Sequence, residues 1–497
     1  MRRSRWVHDE RRARRILVGA LGIAVEASAQ PATLALPTPV TTANPNAIEP
    51  AEPSREVKPR LTVPDSVAVE AHSTTYIPLF QRALLPGPAG SIPNPSLAIP
   101  VYEYLLLRVI DADTPWAKNS VDTELSLWGM GALVGRDDGR GSERRIDGDV
   151  SVAAVTHRIG LGYVKVGRQY VTEGASRFSH LDGVSAGYRS DWGLAVSGYA
   201  GFTVLPRWYA VPNYRLLGSA SDAMVQRPED FPHAQRSGNW MGGARIGYSQ
   251  RQLGEVGMSI HEQRENAALG RRDLAFDLHV VGTETLDANA RALLDLDSGQ
   301  LADGFIGLGW HPIRRLDVAI DYRRMTPTLL MSKQSVLSVF AADRFDELGG
   351  EARYRVGHGL TVFFGSFVEW FEQGDYGARV RSGLRLTPDE RHRLIINVAY
   401  SRVIEPENGY HGTRLSIGYR IFEPWMLTAE QYCYLYDHAI AGVATSTVHA
   451  LNVAYRPTKA WELMLGSSLY NSPYAALDAQ TMLRVSYTLG PTLGGEP

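Results

Sequence analysis

Arg379, Arg381 and Arg385 share one parity of the segment Tyr376–Leu386, while Tyr376, Ala378, Val380, Leu384 and Leu386 occupy the other. A guanidinium keeps its charge at any physiological pH, and its planar fork suits carboxylates. At ~3.4 Å per extended residue the three form a ladder spanning about 7–14 Å, able to hold and release successive acidic groups. The pattern recurs along the C-terminal half. Arg315, Arg323, Arg353, Arg355, Arg393, Arg414, Arg420, Arg456 and Arg484 also lie opposite the apolar parity, against the acids Asp317, Asp321, Glu351, Glu369, Glu430 and Glu462. Arginines therefore dominate that face. In the preceding part of the chain Lys165, Arg189, Arg245 and Arg291 oppose Asp122, Glu124, Glu255, Asp273, Asp277 and Asp295, so the balance tilts acidic.

Such faces need strands to carry them. Leu316–Tyr322, Tyr376–Leu386, Thr413–Ile421, Leu274–Val280 and Thr481–Tyr487 all alternate apolar and polar with a period of two, which fits a strand between unlike environments and no helical template. Past Pro100 the prolines fall between these segments and spare their interiors, as expected where every strand donates to two neighbours. Connections alternate in length. Short ones include 190–191, 311–314, 357–359, 387–390, 422–424 and 456–459; longer ones include 135–148, 171–180, 204–237, 324–346 and 437–445. Strands of ~10 residues joined alternately by tight turns and long loops are the pattern of a membrane-spanning barrel. Trp192, Trp310, Tyr322, Trp425, Tyr455, Trp461 and Tyr487 recur near strand ends, as an aromatic girdle requires. No repeat of fixed period supports a propeller or a β-helix.

The expected fold is thus all-β: a transmembrane antiparallel barrel of about 20 strands, with 18–22 compatible, over residues 101–489. Val101–Ile110 also reads as a strand, and would be an odd one that breaks the parity. Apolar residues face lipid, because a charge there costs ~2–4 kcal/mol at mid-bilayer; the charged parity then lines the lumen.

The N-terminal residues read as an address. Seven arginines in the first fifteen residues, an apolar run Ile16–Val25 and Ala27-Ser28-Ala29 together match a secretory signal peptide over 1–29. Residues 30–100 hold half of the 28 prolines, and such a stretch favours extended conformations over a packed core. It is expected to be a Pro-rich periplasmic linker, with 65–100 apolar enough to dock or plug; 490–497 is expected to be a tail. The implied location is the outer membrane of a Gram-negative-type cell.

Composition excludes other classes. A net charge of −2 argues against nucleic-acid partners. A single cysteine, Cys433, rules out an internal disulfide framework, and at its alternating position it is expected to face lipid or pack. The sequence carries no G-x-S-x-G, H-E-x-x-H or Walker pattern, and no metal-ligand spacing. Neither enzyme, cofactor nor metal is expected. Asp343, Asp346 and Glu347 read as solvated acids near a rim.

One stretch resembles a known family. Val164-Lys-Val-Gly167-Arg168-Gln169, then Gly174, Asp182-Gly183-Val184 and Tyr188, is similar to a hairpin of the alginate-export type of outer-membrane barrel, and to barrels associated with exopolysaccharide secretion. The resemblance implies a large monomeric barrel passing anionic polysaccharide through a basic pore. On that basis the expected path is lined by Arg315, Arg323, Arg353, Arg355, Arg379, Arg381, Arg385, Arg414, Arg420 and Arg484. The expected partners are outer-membrane lipid, an acidic polysaccharide or other hydrophilic solute, and periplasmic export proteins. A general diffusion porin is the alternative, and a barrel that adheres or receives through its long loops is a third. The apolar content of 204–237 and 324–346 suggests that at least one of these loops folds inward as a constriction.

Overall fold

The computed structural model describes residues 67–84, 100–111, 119–132, 146–176, 178–204, 239–250, 254–265, 267–283, 285–330, 344–357, 359–389, 393–473 and 475–490. The expected signal peptide, the linker to residue 66, most of loop 204–237 and the tail from 491 lie outside them.

Twenty-two strands follow in order: β1 Val67–Leu84, β2 Pro100–Asp111, β3 Asn119–Ala132, β4 Ile146–Ile159, β5 Gly162–Val171, β6 Ser179–Arg189, β7 Leu194–Thr203 and β8 Trp240–Gln250. Next come β9 Gly254–Glu265, β10 Ala268–Thr283, β11 Leu286–Asp295, β12 Gln300–Ile313, β13 Leu316–Met325, the helical turn α1 Pro327–Leu330, β14 Phe345–Gly357 and β15 Leu360–Phe371. The last are β16 Tyr376–Leu386, β17 Leu394–Ile404, β18 Tyr410–Phe422, β19 Trp425–Ile440, β20 Val443–Tyr455, β21 Trp461–Ser472 and β22 Ala475–Leu489. Each strand pairs antiparallel with its neighbours in sequence, and β1 pairs with β22 from Ala71↔Leu489 to Leu84↔Leu477. That last ladder closes the sheet. No edge is left, which is the condition for a strand assembly to sit in lipid.

The count of 22 corrects the expected 20. Val101–Ile110 is a wall strand, and parity survives because β1 precedes it. That strand lies inside the segment read as linker or plug, for a physical reason. Its outward residues include Ser73 and Thr75 beside Val69, Ala71 and Ile77, which mutes the alternation, and it contains Pro78. The proline is tolerated because it sits where the register with β22 slips, between Pro78 and Phe80. Pro312 likewise falls inside a strand, at the slip between Trp310 and Ile313 of β12. Removing 67–84 should leave β2 and β22 as open edges. The expected result is loss of the compact, heat-modifiable band in unheated detergent gels; a retained band would show that 21 strands close without β1.

Loop alternation holds only in part: at the long-loop end β9–β10, β19–β20 and β21–β22 are each joined by two residues. Residues 437–445 are not a long loop, because β19 and β20 run on to a two-residue turn, Ala441-Gly442. Both turn residues have positive φ (49° and 81°), the conformation that a tight hairpin needs.

One contact identifies the inside. The amide of Ala175, in the β5–β6 connection, donates to Asp277 Oδ1 of β10 at 3.1 Å. Three strands separate these elements along the wall, so the contact crosses the interior and Asp277 points inward. Cross-strand partners share a face, and alternation carries the assignment round the ring. The outward set is then apolar. Val166, Met258, Ile260, Ile306, Leu308, Ile320, Leu348 and Phe364 are all large and exposed. Aromatic pairs bound this belt at the short-turn end, Trp425 on Tyr455 with ring centroids 4.6 Å apart and Trp461 on Tyr487 at 4.7 Å. At the long-loop end the outward charges are ion-paired: Arg168 with Asp182 and Asp149, Glu262 with Arg264 and Arg272, Arg324 with Asp346, and Arg402 with Asp437. An apolar belt between an aromatic collar and an ionic rim, on a closed barrel, places the chain in the outer membrane.

Candidate functional site: the lumen

By register, Arg323, Arg353, Arg355, Arg379, Arg381, Arg385, Arg414, Arg420 and Arg484 all project to the inner face, and Arg315 sits in the β12–β13 turn. Most of them are not free. Arg379 pairs with Glu347 at 2.6 Å, and Arg381 with Glu351. The adjacent strands β15 and β17 offer them no carboxylate except Glu369. Both acids come from β14, two strands away, because an arginine side chain is long enough to cross one neighbouring strand. Gly365 of β15 leaves the way clear: a Cβ there would crowd Arg381 Cγ at 3.3 Å. Phe367 lies beneath both guanidinium groups, at 4.9 Å from Arg379 and 5.5 Å from Arg381, so each arginine is held by a carboxylate and an aromatic face. Glu347 was read as a solvated rim acid; it is an inward residue of β14 and belongs to this lattice.

The same holds round the wall. Asp303 receives Arg291 at 3.1 Å and Arg323 at 3.6 Å. Glu351 also takes Arg353 at 3.2 Å, and Asp317 takes Arg355 at 3.2 Å and His311 at 2.8 Å. Glu430 faces Arg414 at 3.5 Å, while Glu462 is shared by Arg456 and Arg484. Among the described residues Arg315, Arg385, Arg393 and Arg420 have no carboxylate partner. All four lie toward the short-turn mouth.

The acidic half is organised differently. Lys165 meets Glu124 at 3.2 Å and Arg271 meets Asp273 at 3.4 Å. Arg245 is the hub: it binds Asp277 through both terminal nitrogens and Glu255 at 2.8 Å. On this pair rests the inward-folded β5–β6 connection. Gly174 has φ of +59°, and any side chain there would overlap Arg245 and Asp277; glycine is needed both for the left-handed turn and for the close approach. Glu173 is buried and accepts from Ser197 Oγ at 2.5 Å. Ala175 then packs with Leu329 and Leu330 of α1 on the cluster Ala275, Leu293 and Ala302. The amide of Thr326, next to α1, donates to the Ala302 carbonyl at 2.9 Å, which sets the turn on the inner wall. Of the two loops expected to fold inward, 324–346 does so at least through α1. The second inward segment is 172–176, a shorter connection not singled out for that role. Its cue was a glycine followed by small residues, Gly174-Ala-Ser176.

The Gly-Arg-Gln hairpin is built into the wall. Arg168 donates to both oxygens of Asp182 at 2.7 and 2.9 Å on the outer rim. Gln169 is fully buried and accepts from Ser185 at 2.8 Å. Tyr199 and His261 close the neighbouring inner wall with a 2.6 Å bond. These polar locks were not visible as pairs in the sequence.

No family model matches this chain, and no curated protein matches it. It is similar to solved outer-membrane barrels at low identity. The outer membrane protein OpdK from Pseudomonas aeruginosa is 11% identical over 85% of this chain and 98% of its own, with a TM-score of 0.38. A BenF-like porin from Pseudomonas fluorescens Pf-5 gives 11%, 86%, 99% and 0.40. A mutant of the ferric enterobactin receptor PfeA from Pseudomonas aeruginosa gives 9%, 85%, 80% and 0.46. At these scores the reading of this chain rests on its own wall and lumen.

Proposed function

We propose that this protein is a passive outer-membrane channel for small hydrophilic solutes, with only weak preference between anions and cations. The observation that carries this reading is the pairing of the inner arginines, above all Arg379–Glu347 and Arg381–Glu351. A guanidinium matched by a carboxylate adds little net field to the pore, and the pair still offers donors and acceptors to a passing hydroxyl. The inward segments 172–176 and α1 narrow the lumen on one side and set the size limit. No step of the transport needs a cofactor or a chemical conversion.

Export of anionic polysaccharide keeps one specific observation in its favour. Arg315, Arg385, Arg393 and Arg420 gather near the short-turn mouth without carboxylate partners among the described residues. In the diffusion reading they enrich anions locally at that mouth and leave the narrow part nearly neutral. Of the residues that suggested the polysaccharide family, Arg168, Gln169 and Asp182 build the wall, whereas Lys165 and Gly174 lie on the lumen side.

Liposome swelling separates the two. Neutral sugars and sugar acids of equal size should enter at similar rates, with a cut-off by size. Exclusion of neutral sugars alongside fast entry of acidic oligosaccharides would favour the conduit and overturn the proposal.

A further inference from the structure

The outer wall of β19–β22 is interrupted at mid-bilayer by polar side chains. Gln431 and His449 are direct cross-strand partners, as are Ser467 and Thr481. Each lies six residues from the girdle aromatic of its own strand, Trp425, Tyr455, Trp461 or Tyr487. With ~3.4 Å per residue and a tilt of 35–45° that is about 15 Å, near the middle of a ~25 Å apolar band. Thr413, Cys433 and Thr447 form the next outward row.

Some polar groups on this side of the barrel are satisfied within the wall. Ser467 bonds Thr481 at 3.0 Å, and nearby Glu103 accepts from Ser73 and Thr75. Gln431 and His449 are exposed, and neither side chain has a hydrogen bond among the described residues. A bond between the two would still leave amide and imidazole capacity unmet. Acyl chains offer no partner, so at this depth the missing groups must come from another protein surface.

We infer that this face is the contact between two copies of the chain, related by a two-fold axis along the membrane normal. That symmetry brings each patch to its own depth on the partner. Gln431 then meets His449 of the other copy and the reverse, and amide and imidazole each both donate and accept. The same face carries a hollow of about 460 Å³ whose lining includes Gln431, His449, Leu451, Leu469, Ala429 and Ser467, open to a side chain of the other copy. The resemblance of the β5–β6 hairpin implies a monomer instead, so oligomeric state divides the two. This inference does not depend on the solute.

The test uses the full chain in native membranes and after extraction. Cys433, the only cysteine, lies about 7 Å along the strand from Gln431. A homobifunctional maleimide should therefore give a band at twice the chain mass, absent in Cys433→Ser. Native mass spectrometry should give the same dimer. Gln431→Leu combined with His449→Leu keeps the belt apolar, so the heat-modifiable fold should remain while the dimer disappears; Ser467→Trp, which fills the hollow, should act likewise. A monomer in both measurements, an unchanged dimer in the folded double variant, or a cross-linked product holding a different protein would overturn it.

Discussion

Replacing Asp277 by Ala is expected to release the β5–β6 connection from the inner wall and enlarge single-channel conductance. Two attachments go at once: the Ala175 amide loses its acceptor, and Arg245 loses the carboxylate that both its terminal nitrogens engage. Breaking a buried ion pair from one side costs on the order of 3 kcal/mol, and the figure applies with some discount because the two side chains are 11% and 22% exposed. Against this loss the segment 172–176 keeps the Ser197–Glu173 hydrogen bond and the apolar packing of Ala175. Gly174→Val attacks the same contact from the loop side, since a Cβ there must displace the Arg245 guanidinium and the Asp277 carboxylate and valine is strained at a φ of +59°. Both variants should keep the heat-modifiable barrel and pass larger currents in planar bilayers. Unchanged conductance in both would show that 172–176 lies beside the conducting path.

The second large effect concerns charge, and its sign depends on the pairing. In Arg379→Gln with Arg381→Gln, Glu347 and Glu351 lose partners and Glu347 is left against Glu369, its cross-strand neighbour. Local charge falls by two, and the reversal potential should move toward cations. Glu347→Gln with Glu351→Gln frees both arginines and should move it by a comparable amount toward anions. Arg385→Gln removes an unpaired charge near the mouth, and its effect should be smaller and confined to low salt, where the Debye length is long. If neither double variant shifts the reversal potential, these side chains lie outside the ion path.

Much of this architecture could be read from alternation alone, because a strand between lipid and water must separate its side chains by parity. The segments Tyr376–Leu386 and Thr413–Ile421 show it without ambiguity, and both are strands with the expected faces. β1 hid because hydroxyls on its outer face and a proline at a bulge imitate a linker. The arginine positions were readable as inward; their state was not. Pairing depends on the lateral reach of a long side chain across a neighbouring strand, and on the space left by Gly365. No one-strand reading can supply that. The Arg245–Asp277 hub was harder still, since its role depends on a loop that crosses the interior.

A nearly neutral pore is best checked by the wild-type reversal potential across a salt gradient at low ionic strength. The expected value is close to zero, displaced slightly in the anion direction by Arg315, Arg385, Arg393 and Arg420. A value near the ideal limit for anions would mean that the paired arginines act as free charges, and would contradict it.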